Sequence, residues 1–131
     1  MNHWSDLKEQ LQRSFESGVS MEDAERWAAR CLSAQLDISQ ELMSADLGAR
    51  MRKNEYKTMR AKVYLDAVQS ADKKPTEAAL EAIIATSAEV AATQNAFEEE
   101  ENASEALERL YDILRDAHIY YRGIAKGAFG G

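Results

Sequence analysis

Apolar residues recur with the period of an α-helix over most of the chain. In the first stretch they are three or four residues apart, which places them on one face of a short amphipathic helix. Its apolar positions are Trp4, Leu7, Leu11 and Phe15. Ser5 is the predicted N-cap, and the segment 17–20 is predicted to end this helix. Ser20 is then predicted to begin a second helix, whose buried face comprises Ala24, Trp27, Ala28, Cys31 and Leu32.

A longer rhythm follows, in which apolar residues are spaced alternately by four and three residues. This spacing is typical of the a and d positions of a coiled coil. The positions, interrupted only by Arg52, are Ile38, Leu42, Ala45, Ala49, Tyr56, Met59 and Val63, and we call them the seam. We predict a helix from about Leu36 to about Ser70. Such a helix needs a long partner in the same chain or in another subunit, and we expect the seam to support a homo-oligomer.

The remainder of the chain predicts one loop, one short helix and a second long helix. The loop is segment 72–76, where Lys74 precedes the single proline and is therefore biased away from helix. Thr76 is the expected cap of the short helix. Ser87 is the expected cap of a long helix that runs from about Ala88 to about Ile124. The sequence thus predicts an all-α fold with two long antiparallel helices and two or three short ones, in a single helical domain (residues 1–131) with a flexible Gly-rich tail (residues 127–131).

Composition excludes several classes of protein. The 131 residues include one cysteine, so an intramolecular disulfide is excluded. No apolar run approaches the roughly 18 residues that a membrane span needs. The first twelve residues are polar and do not resemble a signal peptide. We therefore expect a cytoplasmic protein (host cytoplasm if it is phage-encoded) with no membrane partner.

The net charge of −7 conceals a strong asymmetry along the chain. Residues 50–74 carry 8 basic and 3 acidic groups, whereas both flanking segments are acidic. On a helical wheel at about 100° per residue, one stripe beside the seam collects most of these cations with an aromatic ring. This stripe consists of Arg50, Lys53, Lys57, Arg60 and Tyr64. Such a pattern suits single-stranded nucleic acid, because cations follow phosphates and rings stack on bases.

A second stripe is predicted on the last helix, where residues recur at helical spacing. Its members are Tyr111, Arg115, His118, Arg122 and Lys126, of which Arg115, Arg122 and Lys126 are candidate phosphate contacts. Cations near a helix C-terminus also interact favourably with the helix dipole. For both stripes the alternative interpretation is a solvated helix face that flanks a seam.

Catalytic and metal-binding signatures are missing from the sequence. The chain has two histidines, and Arg115 stands three residues before His118, where a di-iron helix bundle would have glutamate. There is no Gly-rich phosphate loop. Cys31 lies on an apolar helix face, which favours a core thiol over a nucleophile. We therefore predict no enzyme activity, no metal and no cofactor.

Two short segments and the layout of the helices resemble a known family. The segments are the basic-aromatic stretch 57–64 and the closing stretch 121–126, with a Ser-Ala-Glu-Val helix start at 87–90. The chain is similar over roughly residues 40–126 to the UvsY-type phage recombination mediators. That resemblance implies a ring-shaped oligomer that binds single-stranded DNA and helps to load a recombinase onto DNA covered by single-strand-binding protein. It also implies that Lys57, Arg60 and Lys62 contact DNA. The acidity of the chain, and Glu98–Glu101 in particular, departs from this family.

Two functions therefore remain open at this point. The first is a non-enzymatic recombination mediator, whose partners are single-stranded DNA, a recombinase and single-strand-binding protein. The second is a helical adaptor or inhibitor that binds protein partners through its acidic faces and does not touch DNA. A basic stripe that forms salt bridges with the Glu98–Glu108 face of a neighbouring helix favours the second function. A stripe that is open to solvent in the assembled form weighs against it.

Overall fold

The described part of the chain is built from four helices and contains no strand. The computed structural model describes residues 3–127, without the side chain of His3, and 90% of these residues are helical. The helices are α1 (His3–Ser17), α2 (Met21–Ser70), α3 (Glu77–Thr86) and α4 (Ala88–Ala125). The predicted all-α fold with two long and two short helices is confirmed. The predicted Gly-rich tail lies outside the described residues except for Gly127.

Side-chain caps begin three of the helices at the predicted residues. The hydroxyl of Ser20 accepts a hydrogen bond from the Asp23 amide at 3.2 Å. Thr76 caps α3 through the Ala79 amide at 3.1 Å, and Ser87 accepts from the Val90 amide at 3.3 Å. The predicted cap at Ser5 is wrong, because α1 has already begun at His3.

Helix α2 is one helix where the sequence pattern suggested two. It runs without interruption through residues 32–36, where we expected one helix to end and another to begin. The physical reason is that the buried positions on both sides of this segment and within it follow the same four-three spacing as the seam. They are Ala24, Ala28, Cys31, Ala34, Gln35 and Ile38. Leu32, predicted to be buried, lies off this face and is 47% exposed.

Contacts divide the chain into two compact units, to which both α2 and α4 contribute. Unit 1 comprises residues 1–40 and 109–131, and unit 2 comprises residues 41–108. This division by contacts does not test whether the chain is a single helical domain, which stays a prediction.

Unit 1 contains α1, the beginning of α2 and the end of α4 around a common core. The largest fully buried side chains of this unit are Leu11, Cys31, Ile38, Leu114 and Tyr121. Tyr121 stacks against Phe15 and Trp27 with centroid distances of 5.5 and 5.8 Å. The α2 and α4 segments of this unit are antiparallel, as the pairing of residues 27 and 28 with 121 and 118 demonstrates.

Unit 2 contains the rest of α2, the whole of α3 and the beginning of α4. Its two long segments are also antiparallel. Ser104 of α4 donates a hydrogen bond to Asp46 of α2, and further along the pair Tyr56 stacks against Phe97 at 6.5 Å. The buried apolar side chains of unit 2 are Leu80, Ile84 and Val90. None of them belongs to α2, so the α2 segment here is only half-covered by its own chain.

Candidate nucleic-acid interface

The predicted basic stripe, which we now call the α2 stripe, lies entirely within unit 2 and is open to solvent. It consists of Arg50, Lys53, Lys57, Arg60 and Tyr64. Its four cations, at positions 50, 53, 57 and 60, are exposed, and Tyr64 is half-buried. One uninterrupted helix carries all five residues, so their spacing is set by helical geometry alone. The structure therefore brings together the residues that the helical wheel grouped.

Most of these cations have no ion-pair partner in the part of the chain that the structure describes. Among residues 3–127, Arg50, Lys53 and Lys57 make no ion pair within 4.0 Å. Arg60 differs, because its Nη2 lies 3.3 Å from both carboxylate oxygens of Glu81 on α3. Three cations of the stripe are thus available to an external anion, and the fourth is shared with an internal one.

Lys62 does not join the stripe, although the family resemblance implied that it contacts DNA. It is exposed, but at about 100° per residue it lies about 160° around α2 from the centre of the stripe. A single strand that follows Arg50, Lys53 and Lys57 cannot also follow this side chain on the same helix. The structure does not bring Lys62 together with the other candidate contacts.

A cleft of about 530 Å³ lies between α2 and α3 in unit 2, beside the stripe. Lys57, Arg60 and Tyr64 line it from α2, and Glu81 lines it from α3. Its apolar walls are Ala61, Leu65 and Ile84. The sequence reasoning missed Glu81 and the cleft. The short loop before α3 was the available signal, because it turns α3 back alongside the end of α2.

The seam faces inward, as predicted from its spacing. Ile38, in unit 1, is fully buried. The members in unit 2, which are half-buried, are Leu42, Ala45, Ala49, Tyr56, Met59 and Val63. At Tyr56 the seam has a partner in its own chain, the ring of Phe97. The role of the seam in an oligomer stays a prediction.

The opposite side of α2 in unit 2 carries an apolar patch that the sequence reasoning missed. Met43, Leu47 and Met51 are 72%, 59% and 57% exposed. They are four residues apart, so they share a helix face that lies opposite the seam. Their regular spacing was the signal, but the stronger seam pattern obscured it.

The second predicted stripe lies in unit 1 and is only partly available. Arg115 is paired with Asp112 at 3.3 Å and with Asp116 at 3.5 Å. His118 is half-buried, and its Nδ1 donates to the carbonyl oxygen of Ala28 at 2.9 Å. Arg122 and Lys126 are exposed and make no ion pair within the described residues. The α2 stripe is therefore the more accessible of the two stripes.

Other chemistry in the described residues is limited. Burial raises the pKa of the Cys31 thiol to about 11, against a smaller lowering by Arg30, so the thiol stays protonated at neutral pH. Within residues 3–127, no three His, Cys, Asp or Glu side chains are grouped so that they could hold a metal ion. None of the four described helices combines the length and apolar character of a membrane span.

Comparison of the chain with protein-family models, with curated proteins and with solved structures finds no match.

Proposed function

We propose that this chain is a non-enzymatic, phage-type recombination mediator that binds single-stranded DNA through the α2 stripe and acts as an oligomer. The observation that carries the DNA-binding part is the row of unpaired cations at Arg50, Lys53 and Lys57 on one exposed helix face. The half-buried ring of Tyr64 at the end of this row is available to a base. This arrangement, cations for phosphates with a ring beside them, is typical of binding without strong sequence preference.

The dimensions and charge of the stripe agree with this proposal. From Arg50 to Tyr64 the helix rises about 21 Å at 1.5 Å per residue, which matches a few nucleotides of a single strand. Much of the acidity of unit 2 lies on a different helix from the stripe, since seven glutamates are carried by the α4 segment 88–108, which has no Lys or Arg. Screening over about 10 Å at 0.1 M salt limits the effect of distant carboxylates.

The oligomeric part of the proposal is supported by apolar surface that the chain leaves uncovered. Met43, Leu47 and Met51 form an exposed patch on α2, and the unit 2 seam is only half-buried. Several copies of a weak site gain affinity when they bind one strand together. The loading of a recombinase, and displacement of single-strand-binding protein, rest on the resemblance to the UvsY-type mediators.

Salt-dependent binding of a fluorescent oligo-dT tests the DNA-binding part. Replacing two stripe cations (Lys53→Glu with Lys57→Glu) is expected to weaken binding at least tenfold at 50 mM salt. Because each lost phosphate contact removes about 0.7 from the slope of log K against log salt, the slope should fall by about 1.4. The matched control is Lys73→Glu with Lys74→Glu, the same charge change on exposed loop residues of unit 2.

The control is expected to keep the wild-type slope, with a smaller loss of affinity. Equal losses in the two double variants would mean that only net charge matters, and the stripe would not be the site. No binding by the wild type at 20 mM salt would remove the DNA-binding proposal altogether.

Light scattering after size exclusion tests the oligomeric part. We expect a mass of several times 14.7 kDa for the wild type. Replacement of Leu47 and Met51 with Glu in the exposed patch should shift the mass towards that of a single chain. A monomeric wild type at micromolar concentration would contradict the mediator proposal, which needs subunits to combine.

A second candidate function is an adaptor that binds protein partners through the acidic side of α4. The observation that favours it is a group of exposed glutamates on one helix face without an ion pair in the described residues: Glu101, Glu105 and Glu108. A partner of this face would present Lys and Arg. Binding of oligo-dT with the expected salt slope favours the mediator, whereas oligomerisation without any DNA binding favours the adaptor.

A further inference from the structure

The cleft between α2 and α3 has the size and lining of a small-ligand site. Its volume of about 530 Å³ lies within the range of ligand pockets in proteins. Ala61, Leu65 and Ile84 supply apolar walls, and Tyr64 supplies an aromatic ring. A flat group can therefore lie against the ring and apolar side chains of this cleft, with its other face open to solvent.

The rim of the cleft carries cations on the α2 side and a carboxylate on the α3 side. Lys57 and Arg60 are cations that also belong to the α2 stripe, so a chain of phosphates along the stripe passes the mouth of the cleft. Glu81 stands across from them on α3. A planar group attached to a phosphate backbone is the ligand that fits this combination.

Glu81 keeps unused capacity to accept hydrogen bonds. Its side chain is 62% exposed, and both of its oxygens lie 3.3 Å from one nitrogen of Arg60. An ionised carboxylate has about four acceptor positions, so one guanidinium nitrogen leaves it able to accept from an amino group. This exposed ion pair places the carboxylate beside Arg60 at the rim.

We propose that this cleft binds one base of the single strand and prefers a base with an exocyclic amino group. This inference rests on the proposed function and names the part of the strand that enters the protein. The base stacks on Tyr64, its phosphates lie at Lys57 and Arg60, and its amino group donates to Glu81. Cytosine offers an amino group at the position where thymine offers a carbonyl oxygen, which Glu81 repels.

Competition binding with oligo-dC and oligo-dT of equal length at pH 7.5 tests the base preference. We expect the wild-type oligomer to bind oligo-dC about three- to tenfold more tightly, as expected for one exposed hydrogen bond to a base. Glu81→Ala is expected to remove this preference. It should also raise the affinity for oligo-dT, because Arg60 is released to the phosphates and a negative charge is lost.

Glu77→Ala is the matched control, since it removes an exposed carboxylate one turn earlier on α3 and outside the cleft. It should raise both affinities slightly and leave their ratio unchanged. Tyr64→Leu should weaken the binding of both oligonucleotides about fivefold or more, while Tyr64→Phe, which keeps the ring, should bind as the wild type does.

The outcomes separate this inference from the proposed function. Equal binding of oligo-dC and oligo-dT by the wild type, with the expected salt slope, overturns the base cleft and leaves the DNA-binding proposal standing. A preference for oligo-dC that persists in Glu81→Ala also overturns the role of the cleft. Failure of both oligonucleotides to bind overturns the two proposals together.

Discussion

Tyr121 shows how one residue organises the core of unit 1. Its ring lies between the rings of Phe15 and Trp27, and its hydroxyl is buried. Ser14 satisfies that hydroxyl: it accepts a hydrogen bond from Tyr121 and donates one to the Leu11 carbonyl oxygen at 2.7 Å. Burial is the largest influence on the Tyr121 hydroxyl, and it raises the pKa of that group.

Ser14→Ala is expected to destabilise the protein by about 1–3 kcal/mol, because it leaves the buried Tyr121 hydroxyl without a partner. Urea unfolding measures the change in the free energy of unfolding. Ser17→Ala is the matched control on the same helix, at an exposed serine whose hydroxyl donates to the Arg13 carbonyl oxygen, and it should cost about 0.5 kcal/mol or less. In the double variant Ser14→Ala with Tyr121→Phe, the cost should be less than the sum of the two single changes.

The raised pKa of the buried Cys31 thiol is expected to make the stability of the protein depend on pH above about pH 9. Its folded-state pKa of about 11 exceeds the ordinary value of 9.0, so the folded state holds its proton more tightly than the unfolded state does. The stabilisation is complete below about pH 9 and is lost as the pH rises towards 11. Unfolding experiments between pH 8.5 and 11 should show a shallower decline for Cys31→Ala than for the wild type; equal declines would contradict the assignment. The remaining decline includes the titration of Tyr121, whose pKa is also raised.

At the scale of elements, two glycines occupy different places relative to the helices. Gly48 lies inside the helix, in unit 2, close to the carboxylate of Glu100 on α4. A Cβ placed there would lie 3.0 Å from Glu100 Oε2, the far end of a flexible side chain. Gly18 differs, because its φ of +76° ends α1 in the left-handed region.

The two glycines are therefore expected to respond in opposite directions to alanine. Gly48→Ala should stabilise the protein by about 0.5–1 kcal/mol, since alanine restricts the unfolded chain and Glu100 can move aside. Gly18→Ala should destabilise it by about 1–2 kcal/mol, because a Cβ is unfavourable at positive φ, although the space around it is empty. Thermal unfolding measures both. A loss of stability in Gly48→Ala would mean that Glu100 is held firmly in its place.

At the scale of the whole molecule, buried side chains are distributed unevenly over the two units. All six buried residues of α2 lie between Ala24 and Ile38, in unit 1. The α2 segment of unit 2 has only half-buried seam positions, together with the exposed stripe and the apolar patch. The part of the helix that carries the candidate site is thus the part with the least covering from its own chain.

Hydrogen exchange should report this difference. Amides of α2 at residues 24–38 are expected to exchange at least tenfold more slowly than those at residues 43–63, because local opening costs less where few side chains are buried. Addition of oligo-dT should slow exchange at residues 50–64 if the stripe binds DNA. Because these burial values are those of a single chain, the comparison is made in the Leu47→Glu, Met51→Glu variant. Uniform exchange along α2 in that variant would contradict the inference from burial.

The sequence alone determined which segments are helical and where three of the helices begin, although it suggested two helices where α2 is one. The four-three spacing of apolar residues, the lack of breakers and the caps at Ser20, Thr76 and Ser87 are local properties, so they can be predicted without tertiary contacts. The α2 stripe was predictable for the same reason, since residues on one helix have fixed relative positions. The resemblance to the UvsY-type mediators, and the function it implies, stay predictions.

Tertiary structure alone decided which of the charged side chains are free and where a cleft forms. The pairing of Arg60 with Glu81 joins residues 21 positions apart on different helices, and no periodicity encodes it. The hydrogen bond from His118 to the Ala28 carbonyl oxygen also joins residues on different helices, 90 positions apart, and no sequence periodicity encodes it. A helix fixes positions around its own axis, but the facing of two helices depends on how they pack, so only the folded chain distinguishes free cations from paired ones.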